Sequence, residues 1–178
     1  AARRIGQAIA LALAEEGADV VLHYHSAEAQ ALETCRRIRE CGRRAWCLRA
    51  NLSAPAEAED LFARVLDEAG PLDVLVNNAS IFPENTVLDL APEDLHECVN
   101  LHAVAPLLLS RRFAAQARAG CIVNLLDTRV QDYDRRHAAY HLSKRMLMTL
   151  TSMLALEFAP KVRVNGVAPG LILAPAGQ

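Results

Sequence analysis

The sequence predicts an α/β fold in which helices cover both faces of a doubly wound, parallel sheet of the Rossmann type. Short apolar runs alternate with longer amphipathic or Ala-rich segments along the chain. This alternation is typical of βαβ units, whose parallel strands are buried on both faces. No internal repeat, low-complexity tract or linker interrupts the pattern. We therefore expect residues 1–178 to form a single domain.

Helices and strands can be assigned along the chain from apolar periodicity and end signals. An Ala-rich helix at 5–16 is expected to end at Gly17, since glycine favours the backbone conformation that terminates helices. Ser26 is expected to cap a second helix, which runs to about residue 42. The remaining elements are strands at 19–24, 44–48, 72–77, 121–126 and 162–167, and helices at 55–69, 92–117 and 137–159.

Composition limits the classes of partner. The chain is 52% hydrophobic and 22% charged with a net charge of -2, which favours a soluble globular protein and offers no basic stripe for nucleic acid. No apolar run reaches the roughly 18 residues of a membrane helix. Five cysteines without a C-x-x-C pair favour reduced thiols in a cytoplasmic protein. Six histidines without H-E-x-x-H spacing predict no metal site.

Candidate functional residues follow the strands, where open α/β sheets bind their ligands. Asn77-Asn78-Ala79-Ser80 follows one strand, and Asp127 ends the next. Tyr140 and Lys144 are four residues apart and share a helix face. Pro169-Gly170 follows the last assigned strand. A free phenol has a pKa near 10, and a nearby ammonium would lower that pKa toward neutrality.

In order and spacing, these motifs resemble the short-chain dehydrogenase/reductase family over residues 1 to about 174. The resemblance implies that Tyr140 donates a proton as hydride reaches the substrate. It implies that Lys144 tunes Tyr140 and holds the nicotinamide ribose, and that Asn100 supports the proton relay. It also implies a homotetramer, with which the apolar runs 104–109 and 146–156 are compatible.

Asp127 departs from the common family pattern, which has serine at this position. A carboxyl group suits a nitrogen-rich ring, or a C=N bond that must be protonated, and the pteridine reductases of the family resemble this chain here. We therefore expect Tyr140 and Asp127 together to manage protons in the NADPH-dependent reduction of a pterin. Phe82, just past the N-N-A-S turn, is expected to stack on a pterin. A general carbonyl reductase of 3-oxoacyl thioesters or sugars stays open, with Thr128 supplying a hydroxyl. A catalytically inactive, cofactor-binding sensor is a further alternative.

The cofactor implied by the resemblance is NADPH. Arg3-Arg4-Ile5-Gly6 resembles the tail of the family's phosphate loop, where amides at a helix start face the pyrophosphate. His23-Tyr24-His25-Ser26 contains no acid, whereas relatives that use NAD place a carboxylate after this strand. Asn51-Leu52 resembles the adenine-contacting pair. The Asn78-Ala79-Ser80 turn, Tyr140, Lys144 and Pro169-Gly170 complete the expected cofactor site.

The family's first and last strands have no counterpart in residues 1–178. The first strand normally lies in the middle of the sheet, between the second and the fourth. Without it, ladder hydrogen bonds of its neighbours would have no partner. We therefore expect a longer protein, and we expect a product limited to these residues to fold poorly and to be inactive.

Overall fold

The computed structural model describes residues 2–130, 132–170 and 172. Helices alternate with strands, and every paired strand runs parallel to its neighbour, which confirms the α/β, Rossmann-type prediction. No described helix is long and apolar enough to cross a bilayer. The helices are α1 (Arg4–Glu15), α2 (Glu28–Glu40), α3 (Pro55–Glu68), α4 (Pro92–Val99), α5 (Ala105–Ala115) and α6 (Ala138–Phe158). The strands are β1 (Val20–Tyr24), β2 (Ala45–Arg49), β3 (Val74–Asn77), β4 (Gly120–Leu125) and β5 (Val162–Val167).

The strands form two separate parallel sheets. One has the order β1-β2 and the other β3-β4-β5. In the described residues, no strand of one sheet pairs with a strand of the other. The chain likewise divides into two compact units, one drawn from Ala1–Leu52 and Ala56–Pro71 and the other from Ser53–Pro55 and Leu72–Gln178.

The first unit is built around small and aliphatic side chains. Ala10 and Ala14 of α1, Leu22 of β1 and Ile38 of α2 are buried in one apolar cluster. The alanines allow close approach between α1 and its neighbours, and burial of the larger side chains stabilises the unit by roughly 1.5–3 kcal/mol for each one.

A disulfide joins Cys35 of α2 to Cys47 of β2, with 6.8 Å between the Cα atoms. The expectation of reduced thiols is therefore wrong for this pair. The reason lies in the tertiary structure, because α2 packs on β2 and brings the two cysteines into contact. They are 12 residues apart in the sequence, and this spacing matches no short cysteine motif. Cys41, Cys98 and Cys121 are free.

The start of α2 also differs from its prediction. Its N-cap is Ala27, and no side chain bonds to the free N–H groups of the first turn. Ser26 is exposed and lies one residue too early for its hydroxyl to reach them.

The predicted helix at 92–117 is interrupted in the second unit. Between α4 and α5, residues Asn100–Val104 form a π-helical segment, in which the Ala105 N–H bonds to the Asn100 carbonyl. Pro106 follows directly. Because proline lacks an N–H and its ring clashes with the carbonyl four residues earlier, an ordinary α-helical turn is disfavoured here. Single-turn π segments occur frequently at functional sites.

Buried amide and hydroxyl groups connect the second sheet to α6. Asn77 Nδ2 of β3 donates to Asn124 Oδ1 of β4 at 2.8 Å. Asn124 Nδ2 donates to Thr151 Oγ1 of α6 at 2.9 Å, and that hydroxyl donates to the Leu147 carbonyl. Each partner is satisfied, so the chain fixes α6, and the side chains on it, relative to the carboxyl ends of β3 and β4.

Candidate active site

Tyr140 lies in the first turn of α6, with 7% of its surface exposed. Its hydroxyl donates to Asp127 Oδ2 at 2.7 Å. The other carboxylate oxygen, Oδ1, accepts the Arg129 N–H at 2.7 Å, which fixes the orientation of the carboxyl group. The structure therefore brings together the two residues expected to manage protons, although they are 13 positions apart in the sequence.

The pKa of Tyr140 differs in direction from the sequence expectation. Burial raises the pKa of this phenol, and the hydrogen bond to Asp127 and the charge of that carboxylate raise it further. The expected lowering of the Tyr140 pKa is therefore wrong. The reason is distance: the Lys144 ammonium lies 5.8 Å from the centroid of the Tyr140 ring, whereas the carboxylate touches the hydroxyl.

Lys144 is buried, and its ammonium donates to the Leu125 carbonyl at 2.6 Å. Burial lowers its pKa to about 8, against an opposing effect of the Asp127 charge. An ammonium has three N–H donors, and the Leu125 carbonyl accepts one of them. The remaining donors suit a pair of hydroxyl groups such as those of a ribose.

Phe82 lies beside Tyr140 and is 56% exposed. The edge of one ring meets the face of the other, with 4.6 Å between centroids and an 89° angle between planes. The His137 ring stacks on Phe82 at 3.7 Å. A large exposed aromatic ring next to a buried phenol offers a surface on which a flat ligand ring can stack.

His102, in the π-helical segment, is a positioning residue that the sequence analysis missed. It is 1% exposed, and its Nε2 accepts the Ile81 N–H at 3.2 Å. Nδ1 must then carry the proton, and it lies 2.7 Å from Ser143 Oγ, which in turn donates to the Tyr140 carbonyl. Burial and the Lys144 charge lower the pKa of His102 to about 3. The neutral ring thus links the turn that precedes Phe82 to the helix that carries Tyr140.

Asn85 is a second missed residue and holds the start of α6. Its backbone exchanges hydrogen bonds with the Arg136 carbonyl and the Ala138 N–H, and its side-chain oxygen accepts the Ala139 N–H at 3.0 Å. The acceptor therefore caps α6 from a distant part of the chain. No sequence signal marks this cap, because it lies 54 residues before the N–H that it satisfies.

Asn100 and the Pro169-Gly170 pair make no direct contact with Tyr140 or Lys144 among the interactions described above. Asn100 opens the π-helical segment, but its side chain makes no hydrogen bond to another residue in the described part of the chain. The Pro169 carbonyl accepts the Thr128 N–H at 3.3 Å, which brings this pair beside the residue that follows Asp127. Thr128 is exposed, so its hydroxyl is accessible to a ligand.

In the first unit, the residues expected at the cofactor's phosphates surround the start of α1. No side chain caps this helix, and Arg4 has a φ of 53°. Gly6 is buried in the first turn. A helix start without a side-chain cap suits an anion, since backbone N–H groups and the helix dipole both face it.

An open pocket of about 450 Å³ lies in the same unit, lined by His25, Arg49, Asn51 and Glu57. It contains two of the residues expected at the adenosine end and adds Arg49, which the sequence analysis missed. The Arg49 guanidinium lies beside the His25 carbonyl, to which it donates at 3.3 Å. Arginine is the side chain best suited to bind phosphate through several N–H groups at once.

His23 is turned toward the protein rather than toward a phosphate. Its Nε2 lies 2.9 Å from the Ala50 carbonyl, which can only accept, so that nitrogen carries the proton. Burial lowers the pKa of His23 to about 4 and keeps the ring neutral. Tyr24 is also buried, and its hydroxyl donates to Glu28. Of the predicted 23–26 segment, His25 and Ser26 are the exposed members.

The chain is similar to reductases of known sequence and structure. The family model described as enoyl-(acyl carrier protein) reductase matches residues 1–178. FolM, alternative dihydrofolate reductase 1 from Brucella suis in complex with NADP, aligns with a TM-score of 0.91 at 33% identity, over 97% of this chain and 73% of that chain. Acetoin dehydrogenase from Enterobacter cloacae aligns with a TM-score of 0.92 at 34% identity, over 98% and 73%. The 3-oxoacyl-[acyl-carrier-protein] reductase of Staphylococcus epidermidis is 29% identical over 97% of this chain and 72% of its own length.

Proposed function

The chain belongs to the short-chain dehydrogenase/reductase family, and we propose that this NADP(H)-dependent oxidoreductase reduces a pterin, at the C=N bond of a dihydropterin-type ring. The observation that carries the substrate proposal is the contact between Asp127 and Tyr140, with Phe82 against the Tyr140 ring. The similarity to a FolM structure supports the same substrate class.

Within each unit, taken by itself, residues fit a part of NADPH. The uncapped start of α1 suits the pyrophosphate, and Arg49 beside Asn51 suits an adenosine phosphate. The remaining N–H donors of Lys144 suit the nicotinamide ribose hydroxyls. When bound, NADPH supplies the hydride. Every other requirement of the reaction falls on the protein's own side chains.

Tyr140 and Asp127 manage the protons. Reduction of a C=N bond adds hydride to the carbon and a proton to the nitrogen, and the Tyr140 hydroxyl is the donor of that proton. A phenolate next to the Asp127 carboxylate is unfavourable, so Tyr140 must regain a proton after each turnover. The Lys144 ammonium offsets part of the negative charge in the meantime.

Asp127 and Phe82 also account for substrate choice. A carboxylate accepts hydrogen bonds from N–H and amino groups, which a pterin ring has and a simple ketone lacks. The exposed Phe82 ring gives a flat heterocycle a stacking surface. Two different side chains on two different segments therefore favour the same class of ligand.

General carbonyl reduction is the second candidate. It is favoured by the exposed Thr128, whose hydroxyl could orient a ketone oxygen in place of serine. The similarity to the 3-oxoacyl-[acyl-carrier-protein] reductase and to acetoin dehydrogenase supports this alternative as well. A cofactor-binding sensor without turnover is a third reading, and replacement of Tyr140 separates it from both enzymes.

The test follows NADPH oxidation by the protein with any segments that flank residues 1–178 in place. Three substrates are offered in parallel: a dihydropterin, a 3-oxoacyl thioester, and the diketone whose reduction gives acetoin. We expect fast oxidation with the dihydropterin and expect Asp127→Ser to lower its kcat/KM by about 10- to 100-fold, the value of one charged hydrogen bond. Asp132→Ser, a change of an exposed carboxylate on the following loop, is the matched control. Turnover of the thioester or diketone alone would replace the pterin proposal with carbonyl reduction.

We further propose that the protein assembles as a homotetramer through α6. Leu142, Met146, Met153 and Leu156 are 48%, 47%, 61% and 84% exposed, and their spacing places them along one side of the helix. A second copy would cover this apolar stripe. Sedimentation should show a tetramer, and Met146→Glu with Met153→Glu should lower the mass without changing the circular dichroism. An unchanged mass would contradict assembly through this stripe.

A further inference from the structure

Three side chains that commonly bind metal ions converge at the start of α6, beside Tyr140. They are Asp134, His137 and His141, and their donor atoms all lie within 4.8 Å of one another. No metal site was expected from the sequence, because its histidines lack the H-E-x-x-H spacing. The actual spacing, D-x-x-H-x-x-x-H, joins a loop carboxylate to two imidazoles at the start of α6.

The separations between the carboxylate and each imidazole suit a small tetrahedral site, and the two imidazole nitrogens lie within 4.8 Å of each other. His137 Nδ1 lies 2.9 and 3.0 Å from the two oxygens of Asp134, and His141 Nε2 lies 3.5 Å from one of them. Ligands at zinc's usual distances of about 2.0–2.1 Å in a tetrahedron are about 3.3 Å apart. The observed values bracket that separation, so small side-chain shifts would seat an ion.

The imidazole nitrogens lie next to the carboxylate. The Asp134 N–H donates to His141 Nε2 at 3.2 Å, so this nitrogen is unprotonated, and an ion bound there would replace that hydrogen bond. His137 Nδ1 faces the carboxylate, which can only accept, so this nitrogen carries the proton of the hydrogen bond. A metal ion would replace that proton, since ligating imidazole is neutral and ligating carboxylate is ionised.

The carboxylate is already held in place by other groups. The Arg136 N–H donates to Asp134 Oδ1 and the Arg129 guanidinium to Oδ2, both at 2.8 Å. Such outer contacts orient a metal-binding carboxylate. The ligand set also indicates the class of ion. Mg²⁺ and Ca²⁺ need more oxygen ligands than one carboxylate that is already paired with an arginine, whereas two imidazoles suit zinc-like ions.

The site is partly enclosed and open on one side. The side chains of His141 and His137 are 7% and 12% exposed, and that of Asp134 is 26% exposed. We propose that these three residues bind a divalent transition ion of the zinc class, with a fourth position open to solvent. His137 stacks on Phe82, and the ring centroids of His141 and Tyr140 are 5.7 Å apart. A bound ion would therefore fix two rings that pack against the candidate active site.

The test uses Co²⁺ alone, added to the full protein after metal removal, with Zn²⁺ as the competitor. Co²⁺ bound by nitrogen and oxygen gives weak visible bands, and thiolate ligands add an intense near-ultraviolet band that would reveal binding at the free cysteines instead. We expect one equivalent, no thiolate band, displacement by Zn²⁺, and at least about a tenfold loss of affinity in His137→Gln and in Asp134→Asn. His96→Gln, a change of an exposed histidine on α4, should bind as the unchanged protein does.

Circular dichroism and thermal unfolding establish that each variant is folded before the titration is interpreted. Asp134→Asn keeps the shape of the side chain, so it tests the charge of the ligand even if His137→Gln does not fold. A thiolate band, or equal affinities in the unchanged protein, His137→Gln and Asp134→Asn, would overturn the proposal. So would a protein that binds no Co²⁺.

Discussion

Replacing His102 with glutamine tests whether a neutral, buried imidazole holds the reduction site together. The ring is 1% exposed, and burial with the Lys144 charge lowers its pKa from 6.5 to about 3. In the unfolded chain the same imidazole regains a pKa near 6.5. Between these values the unfolded state binds more protons, so the stability that depends on neutral His102 is complete above about pH 6.5 and is lost as pH falls toward 3.

The magnitude follows from the two pKa values. Between pH 7.5 and pH 5, protonation of an unfolded-state imidazole with a pKa of 6.5 lowers the free energy of unfolding by about 2 kcal/mol. A glutamine does not titrate, so the variant should escape this loss. At pH 7.5 it should be less stable by about 1–3 kcal/mol, because the bonds to Ile81 and Ser143 are weakened or lost.

Urea unfolding followed by circular dichroism at pH 7.5 and pH 5 measures both effects. The buried His23, whose pKa is also lowered, contributes equally to the two proteins and cancels in their comparison. His96→Gln, at an exposed position, should keep the full pH dependence. If His102→Gln lost as much stability as the unchanged protein, His102 would be protonated at pH 5 in the fold, and its Nε2 could not accept the Ile81 N–H.

Three further predictions concern catalysis and the cysteines. Tyr140→Phe should lower turnover by about 10²- to 10⁴-fold and leave NADPH affinity, measured by fluorescence, unchanged; unaltered turnover would remove Tyr140 from the mechanism. Because burial lowers the pKa of Lys144 to about 8, its ammonium is lost as pH rises through that value, and NADPH affinity should decline there; constant affinity to pH 9.5 would contradict this role. Alkylation after unfolding without reductant, read by mass spectrometry, should spare Cys35 and Cys47; modification of that pair would contradict the disulfide. The thiols expected to react are Cys41, Cys98 and Cys121.

The elements of the fold could be predicted closely because their signals are local. Periodicity and helix-ending residues placed α1, α3 and α6 within a residue or two of their observed bounds. Local signals failed where a neighbouring residue decided the outcome. Pro106 interrupted the helix predicted at 92–117, and Ser26 lay one residue outside the capping position.

At the candidate site, the sequence by itself identified residues with reactive chemistry, and the structure decided what each one touches. Tyr140 and Lys144 share a helix face because they are four residues apart, which the sequence contains. The direction of the Tyr140 pKa shift depends on Asp127, which follows β4, and only the tertiary structure brings that carboxylate to the Tyr140 hydroxyl.

The remaining site features arise from contacts between distant residues. His102 joins Ile81 to Ser143, and Asn85 caps a helix 54 residues away. Neither has a motif, because hydrogen bonds over such separations depend on the tertiary arrangement of whole elements. The sequence alone therefore determined the fold class, the family resemblance and the catalytic pair. Tertiary structure decided the protonation, the supporting network and the cluster at Asp134, since burial and through-space distance control all three.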